Sequence, residues 1–77
     1  MRVIRSEELE RLRKGFPNGT RVELVRMDDP QAPPVGTRGT VYGIDDIGSI
    51  LIRWDNGSML SVVPEAGDIV RKAGDTE

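Results

Sequence analysis

Asp55-Asn56-Gly57 lies between two apolar-rich runs, Ser49-Ile50-Leu51-Ile52-Arg53-Trp54 and Ser58-Met59-Leu60-Ser61-Val62-Val63. An Asn-Gly turn flanked this way points to an antiparallel hairpin, because Gly adopts the left-handed backbone angles that tight β-turns need. Two registers compete. A two-residue turn places Trp54 opposite Met59 and Ile52 opposite Ser61. A three-residue loop with Gly57 left-handed in a bulge places Trp54 opposite Ser58, Ile52 opposite Leu60 and Ile50 opposite Val62. A one-residue slip exchanges the two faces of a strand, so the apolar match decides. The second register puts Ile50, Ile52, Trp54, Leu60 and Val62 on one face, with Leu51, Arg53, Met59 and Ser61 on the other. It is the register expected here. Trp54 is the only Trp and by this register faces inward, as the core anchor and not an exposed binding platform.

The rest of the chain fits around this hairpin. Thr40-Val41-Tyr42-Gly43-Ile44 is a β-branched and aromatic strand, and Asp45-Asp46-Ile47-Gly48 turns it toward Ser49, giving a three-stranded meander. Val22-Glu23-Leu24-Val25-Arg26-Met27 is an earlier strand. Pro17-Asn18-Gly19-Thr20-Arg21 leads into it, and Pro34-Val35-Gly36-Thr37-Arg38 repeats that turn chemistry before the next strand. Between them, Asp28-Asp29-Pro30-Gln31-Ala32-Pro33-Pro34 is too Pro-rich for a central strand. Asp68-Ile69-Val70-Arg71 is a last short strand after Pro64-Glu65-Ala66-Gly67.

At the start, residues 6–15 read as a short helix. Ser6 is placed to cap it, Glu7 and Glu8 suit its positive end, Arg13 and Lys14 its negative end, and Gly15 is a terminator. Leu9, Leu12 and Phe16 share a side, and Glu7 with Arg11 and Glu10 with Lys14 are spaced as i,i+4 pairs. The expected architecture is therefore mainly β, a five-stranded SH3-like small barrel preceded by a short N-terminal α-helix. Residues 1–15 form the helical lead-in, 16–72 the barrel and 73–77 a flexible tail. A barrel of this kind hosts many functions, so it prescribes none.

Composition narrows the chemistry. Seventy-seven residues leave room for one core. There is no Cys and no His, which removes disulfides, thiolate metal sites and the usual general base near neutral pH. Asp28, Asp29, Asp45, Asp46 and Asp55 stand where turns favour Asp, and none has EF-hand spacing. No Gly-rich loop leads from a strand into a helix, so there is no phosphate cradle. A non-enzymatic protein without cofactor or metal is expected. No apolar run reaches a membrane span and the start lacks the apolar core of a signal peptide, so a soluble, cytoplasmic protein is expected.

Partners divide two ways. Thirteen acidic residues against eleven basic ones disfavour non-specific nucleic-acid binding. Arg21, Arg26, Arg38 and Arg53 on or beside strands, with Tyr42 to stack on a base, keep nucleic acid as the alternative. The leading expectation is a protein partner, met by the loop at residues 28–34 and the outward side of the meander. The candidate residues are Arg26, Asp28, Asp29, Tyr42, Leu51, Arg53 and Met59, a mixture of aromatic, cationic and apolar groups suited to an interface core. The alternative is that Asp28 and Asp29 only cap a turn and that Leu51 and Met59 pack under the helix. A secondary basic patch comprises Arg11, Arg13 and Lys14 within a cluster that includes Arg2 and Arg5. It is either a solvated, internally paired face or a docking helix for an acidic partner.

Several of these segments resemble a known family when taken together. Residues 22–30 (VELVRMDDP), Pro33-Pro34-Val35-Gly36-Thr37, Gly39-Thr40-Val41, Asp45-Asp46-Ile47-Gly48 and Trp54-Asp55-Asn56-Gly57-Ser58 resemble the domain-of-unknown-function family 4314 across residues 16–70. The resemblance implies a small barrel of bacteria and their phages, plasmids or conjugative elements, with no established activity and no catalytic residues. It implies an accessory protein of a mobile element. A phage-encoded inhibitor of a host defence complex such as a CRISPR nuclease is one version, and a nucleic-acid-handling accessory is the other.

Overall fold

The computed structural model describes residues 5–74. Arg2, in the N-terminal basic cluster, and the last three residues of the expected tail lie outside them. The elements in chain order are helix α1 (Ser6–Gly15), strands β1 (Arg21–Arg26), β2 (Arg38–Ile44) and β3 (Ile50–Trp54), a 3-10 turn at Pro64–Ala66, and strand β4 (Ile69–Lys72). The strands form one antiparallel sheet in the order β3-β2-β1-β4.

The hairpin adopts the three-residue register. Trp54 N–H donates to the Ser58 carbonyl at 3.0 Å, Ile50 and Val62 exchange both backbone bonds, and Gly57 has φ 94°. Its second arm nevertheless departs from expectation. Val62 makes a single bridge, and residues 58–61 are not a strand, so the sheet has four strands in place of five and does not close into a barrel. The reason is competition for backbone groups. The buried indole of Trp54 donates its Nε1–H to the Leu60 carbonyl at 2.9 Å, taking an acceptor a ladder partner would use. Ser58 Oγ accepts the Leu60 N–H and Asp68 Oδ2 the Val63 N–H. Leu60 is accordingly half-buried and not a core residue.

Alternation along each strand builds the core. Val22 and Leu24 of β1, Val41 of β2, and Ile50, Ile52 and Trp54 of β3 are all buried, with Val62 from the hairpin's far arm. Gly39 lies across from Trp54 on β2. A methyl there would stand 3.0 Å from the indole, 3.0 Å from the Arg53 carbonyl and 2.6 Å from an Ile52 methyl. Glycine is what allows β2 to pass this close to the tryptophan. Tyr42 is the extra residue of a bulge where the β2–β3 register shifts.

Helix α1 begins one residue earlier than Ser6 capping requires. Arg5 is the N-cap and its N–H donates to Glu8 Oε1 at 3.5 Å, so Ser6 is already helical. Gly15 closes the helix without a left-handed turn. Phe16 leaves it at φ −130° because Pro17 disfavours helical angles in the residue before it. Leu12 and Phe16 pack on the core beside Ile50, Val62 and Pro64, in the gap between the Val62 bridge and β4. The expected Glu7–Arg11 and Glu10–Lys14 pairs do not close. Arg13 instead reaches the β2–β3 turn, donating to Asp46 Oδ1 at 3.1 Å and to the Ile44 carbonyl at 3.4 Å. Lys72 sits 5.7 Å from the Phe16 ring centre. Ala73 donates its N–H to the Arg21 carbonyl, so the expected tail is fastened at its first residue.

Trp54→Ala should destabilise the protein by about 3–5 kcal/mol, the usual cost of emptying a large aromatic site. Tyr42→Ala, at a position 40% exposed, should cost clearly less. Equal small shifts of Tm for both would show that Trp54 is not the anchor. Gly39→Ala should cost on the order of 1–3 kcal/mol through overpacking, whereas the same change at Gly15, where nothing lies within 4 Å, should be neutral or stabilising. A chemical-denaturation series on both variants measures the contrast.

Candidate functional site

The side of the sheet opposite the core is built from the alternate residues of all four strands. β1 contributes Arg21 and Glu23, β2 Arg38, Thr40 and Tyr42, β3 Arg53 followed by Asp55, and β4 Arg71. Their mutual contacts establish that they share one face. Glu23 accepts from Arg71 at 3.0 Å on one side and lies 3.6 Å from Arg38 Nε on the other, linking β4, β1 and β2. Arg21 grips Asp55 with both terminal nitrogens, at 2.9 and 2.6 Å, and also donates to Thr40 Oγ1 at 3.0 Å, linking β1, β2 and the hairpin. Arg53 stands opposite Thr40 in register, with its guanidinium carbon 5.5 Å from the Tyr42 ring centre.

The three arrangements leave the arginines in different states. Arg21, Arg38 and Arg71 each have a carboxylate partner. Arg53 has only the ring, since among the described residues no carboxylate lies within ion-pair distance of it. A ring contact uses none of the five N–H donors a guanidinium carries. Among the described residues, Arg53 is therefore the arginine of this face without a carboxylate partner, and its donors are open. Leu51, half-buried, precedes it by two residues, and Met59, half-exposed, follows Ser58 across the turn.

The expected site residues separate into groups. Tyr42, Leu51 and Arg53 come together on β2 and β3, with Met59 beside them on the hairpin's far arm. Arg26, Asp28 and Asp29 lie at the other end of the sheet. From the rung where Arg21 faces Thr40, Arg26 is five residues along β1 in one direction and Tyr42 two residues along β2 in the other. At about 3.3 Å per residue that is roughly 23 Å. Asp29 is engaged locally, with Oδ1 accepting the Gln31 N–H at 2.8 Å and its carbonyl accepting the Ala32 N–H. It caps the loop's turn. Of the basic patch on α1, Arg11 and Lys14 are exposed and Arg13 is bound to the β2–β3 turn.

Glu23, Thr40, Asp55 and Arg71 are the members of this face that sequence reasoning did not mark as partner contacts. The available signal was the period-two placement of Arg21, Glu23, Arg38, Thr40, Tyr42, Arg53 and Asp55. Cross-strand register, which pairs them, is not written in any one strand. Among the described residues no three acidic side chains gather to hold a metal ion, and no helix is long and apolar enough to cross a membrane.

The Asp55 carboxyl is held below its ordinary value of 3.8, first by the hydrogen bonds from Arg21 and then by the charges of Arg21 and Arg38. A depressed carboxyl stabilises the fold above its unfolded value and loses that contribution as pH falls through the folded one. Both partners are well exposed, so salt screens the pair. The Tm difference between wild type and Asp55→Asn should be at its full size at neutral pH, shrink as pH falls below about 4, and narrow in high salt. A difference that persists unchanged at the lowest pH would show that Asp55 acts through neutral hydrogen bonding alone.

Comparison with curated proteins and with solved structures gives no match. A family model described as a domain of unknown function, DUF4314, matches residues 5–73, including helix α1 as well as the sheet. On that match, which spans nearly the whole chain, the protein belongs to the DUF4314 family.

Proposed function

We propose that the protein is a small non-enzymatic binding module that contacts another protein through the outer face of its sheet. The stack of Arg53 on Tyr42, with Leu51 and Met59 at its margin, is the observation that carries this reading. It combines an aromatic, an arginine with open donors and apolar surface, the composition enriched at interface cores. The residues around it are tied down by cross-strand bonds, so little side-chain freedom is lost when a partner docks. Asp29, already used within its own turn, is marginal to that contact.

In biological terms, the reading is a cytoplasmic accessory of a phage or other mobile element. Blocking a host defence complex such as a CRISPR nuclease would be one use for so small a binder. In architecture it is an opened variant of the SH3-like barrel, with the strand order retained and helix α1 across the gap. A nucleic-acid partner is the second reading, favoured by the four arginines spread over one face.

The test is capture of host proteins by immobilised protein, with and without nuclease treatment. Arg53→Glu and Tyr42→Ala should abolish capture of the specific partner and leave Tm nearly unchanged for the first variant. Asp29→Arg should retain capture. Capture that survives Arg53→Glu would remove the outer face as the site. Capture that disappears on nuclease treatment, with DNA affinity falling steeply as salt rises, would establish the nucleic-acid reading.

A further inference from the structure

We infer that the outer face recognises an extended acidic segment of its protein partner, one whose carboxylate pairs with Arg53 while a neighbouring apolar or aromatic side chain packs on Tyr42. This rests on the reading of the face as a protein-contact surface and specifies the chemistry of what it contacts.

Charge supplies the first reason. The face carries Arg21, Arg38, Arg53 and Arg71 against Glu23 and Asp55, whereas the chain as a whole has thirteen acidic residues and eleven basic ones. The outer face is the positive pole of an acidic protein, and complementarity selects an acidic partner. The distribution of existing bonds supplies the second. Glu23 is occupied by two arginines and Asp55 by the fork of Arg21. Arg53 retains donors matched to a carboxylate and is steadied by the Tyr42 ring.

Spacing supplies the third. Arg53 stands opposite Thr40, and Arg38 lies two residues from Thr40 along β2. Positions two apart on a strand are separated by about 6.6 Å, which is also the repeat of same-side residues in an extended segment. Arg38 is one strand over and two residues along from Arg53, roughly 8 Å away on the diagonal, so a segment crossing β3 and β2 obliquely with a carboxylate on Arg53 brings its next same-side residue near Arg38.

The same features argue against a phosphate backbone. Glu23 and Asp55 sit among the arginines and repel phosphates, three of the four guanidiniums are already partly neutralised, and only one aromatic is available for stacking on this face. A second copy of the chain is disfavoured because the net charge of −2 makes two copies repel.

The probes are a fluorescein-labelled hexaglutamate peptide with one central phenylalanine and a fluorescein-labelled oligothymidine of equal charge, titrated by anisotropy at low and moderate salt. The peptide should saturate the protein. Arg53→Glu should weaken it at least about tenfold, the equivalent of 1.4 kcal/mol. Arg53→Lys should weaken it by a smaller factor through loss of the planar fork, and Arg11→Glu, on the helix, should leave it unchanged. Equal loss in Arg11→Glu and Arg53→Glu would reduce the effect to bulk charge and overturn the inference. So would tighter binding of oligothymidine than of peptide, or a concentration-dependent dimer that Arg53→Glu dissociates. Addition of unlabelled peptide to the captured partner separates this inference from the reading beneath it. Displacement supports both. A partner that needs Arg53 yet is not displaced overturns the acidic segment and leaves the binding module standing.

Discussion

The indole of Trp54 demands both space and a hydrogen-bond acceptor, and the sheet is shaped by how those demands are met. Space comes from Gly39, where even a methyl would press on the ring and on the backbone of β3. The acceptor is the Leu60 carbonyl. A buried indole N–H left without one would cost about 1–3 kcal/mol, and the carbonyl nearest at hand belongs to the hairpin's own second arm. Once that carbonyl turns to the side chain, regular pairing of residues 58–61 with β3 is lost. The core therefore gains its largest residue fully satisfied, and the sheet forgoes a strand.

The opening left between the Val62 bridge and β4 exposes apolar edges that a closed barrel would bury. Leu12 and Phe16 cover them. A ten-residue helix is marginal on its own, so α1 persists because it is docked, by these two side chains and by the reach of Arg13 to Asp46 and the Ile44 carbonyl. This explains why the intrahelical pairs are open. Arg13 bonds across to the sheet, while Arg11 and Lys14 remain in solvent, where i,i+4 pairs contribute only tenths of a kcal/mol.

Much of this was legible in the sequence where a local rule and a tertiary need coincide. The hairpin register followed from matching Ile50 with Val62 and Trp54 with Ser58. The two Pro-x-Gly-Thr turns are the same structure twice. Thr20 N–H returns to the Pro17 carbonyl, Thr37 N–H to the Pro34 carbonyl, and Gly19 and Gly36 sit at φ 93° and 94°. The fifth strand was not legible as absent, because its loss depends on where the indole N–H bonds after folding. The site was legible in part. Tyr42, Leu51 and Arg53 alternate as expected, but Asp28 and Asp29 were joined to them only by the idea that loops and sheet faces meet. Antiparallel pairing sends the two groups to opposite ends. The carboxylates that organise the face, Glu23 and Asp55, read in sequence as an ordinary strand charge and a turn former.

The core and the outer face are set by one register. In β3, Ile52 and Trp54 are buried while Arg53 between them is exposed, and Asp55 follows outward to meet Arg21. Because side chains alternate with period two, a slip of one residue would bring Arg53 and Asp55 into the core and turn Trp54 out. The pairing of Gly39 with Trp54 blocks such a slip, since a shift of one residue would set the side chain of Arg38 or Thr40 where Gly39 has none. On the far side, the same register sets Arg53 beside Tyr42 and Asp55 within reach of Arg21, and the Asp55 N–H returns to the Arg38 carbonyl. Burial of the tryptophan thus sets Arg53 on the outer face without a carboxylate partner, so the face proposed for binding is held in register by the packing of the core.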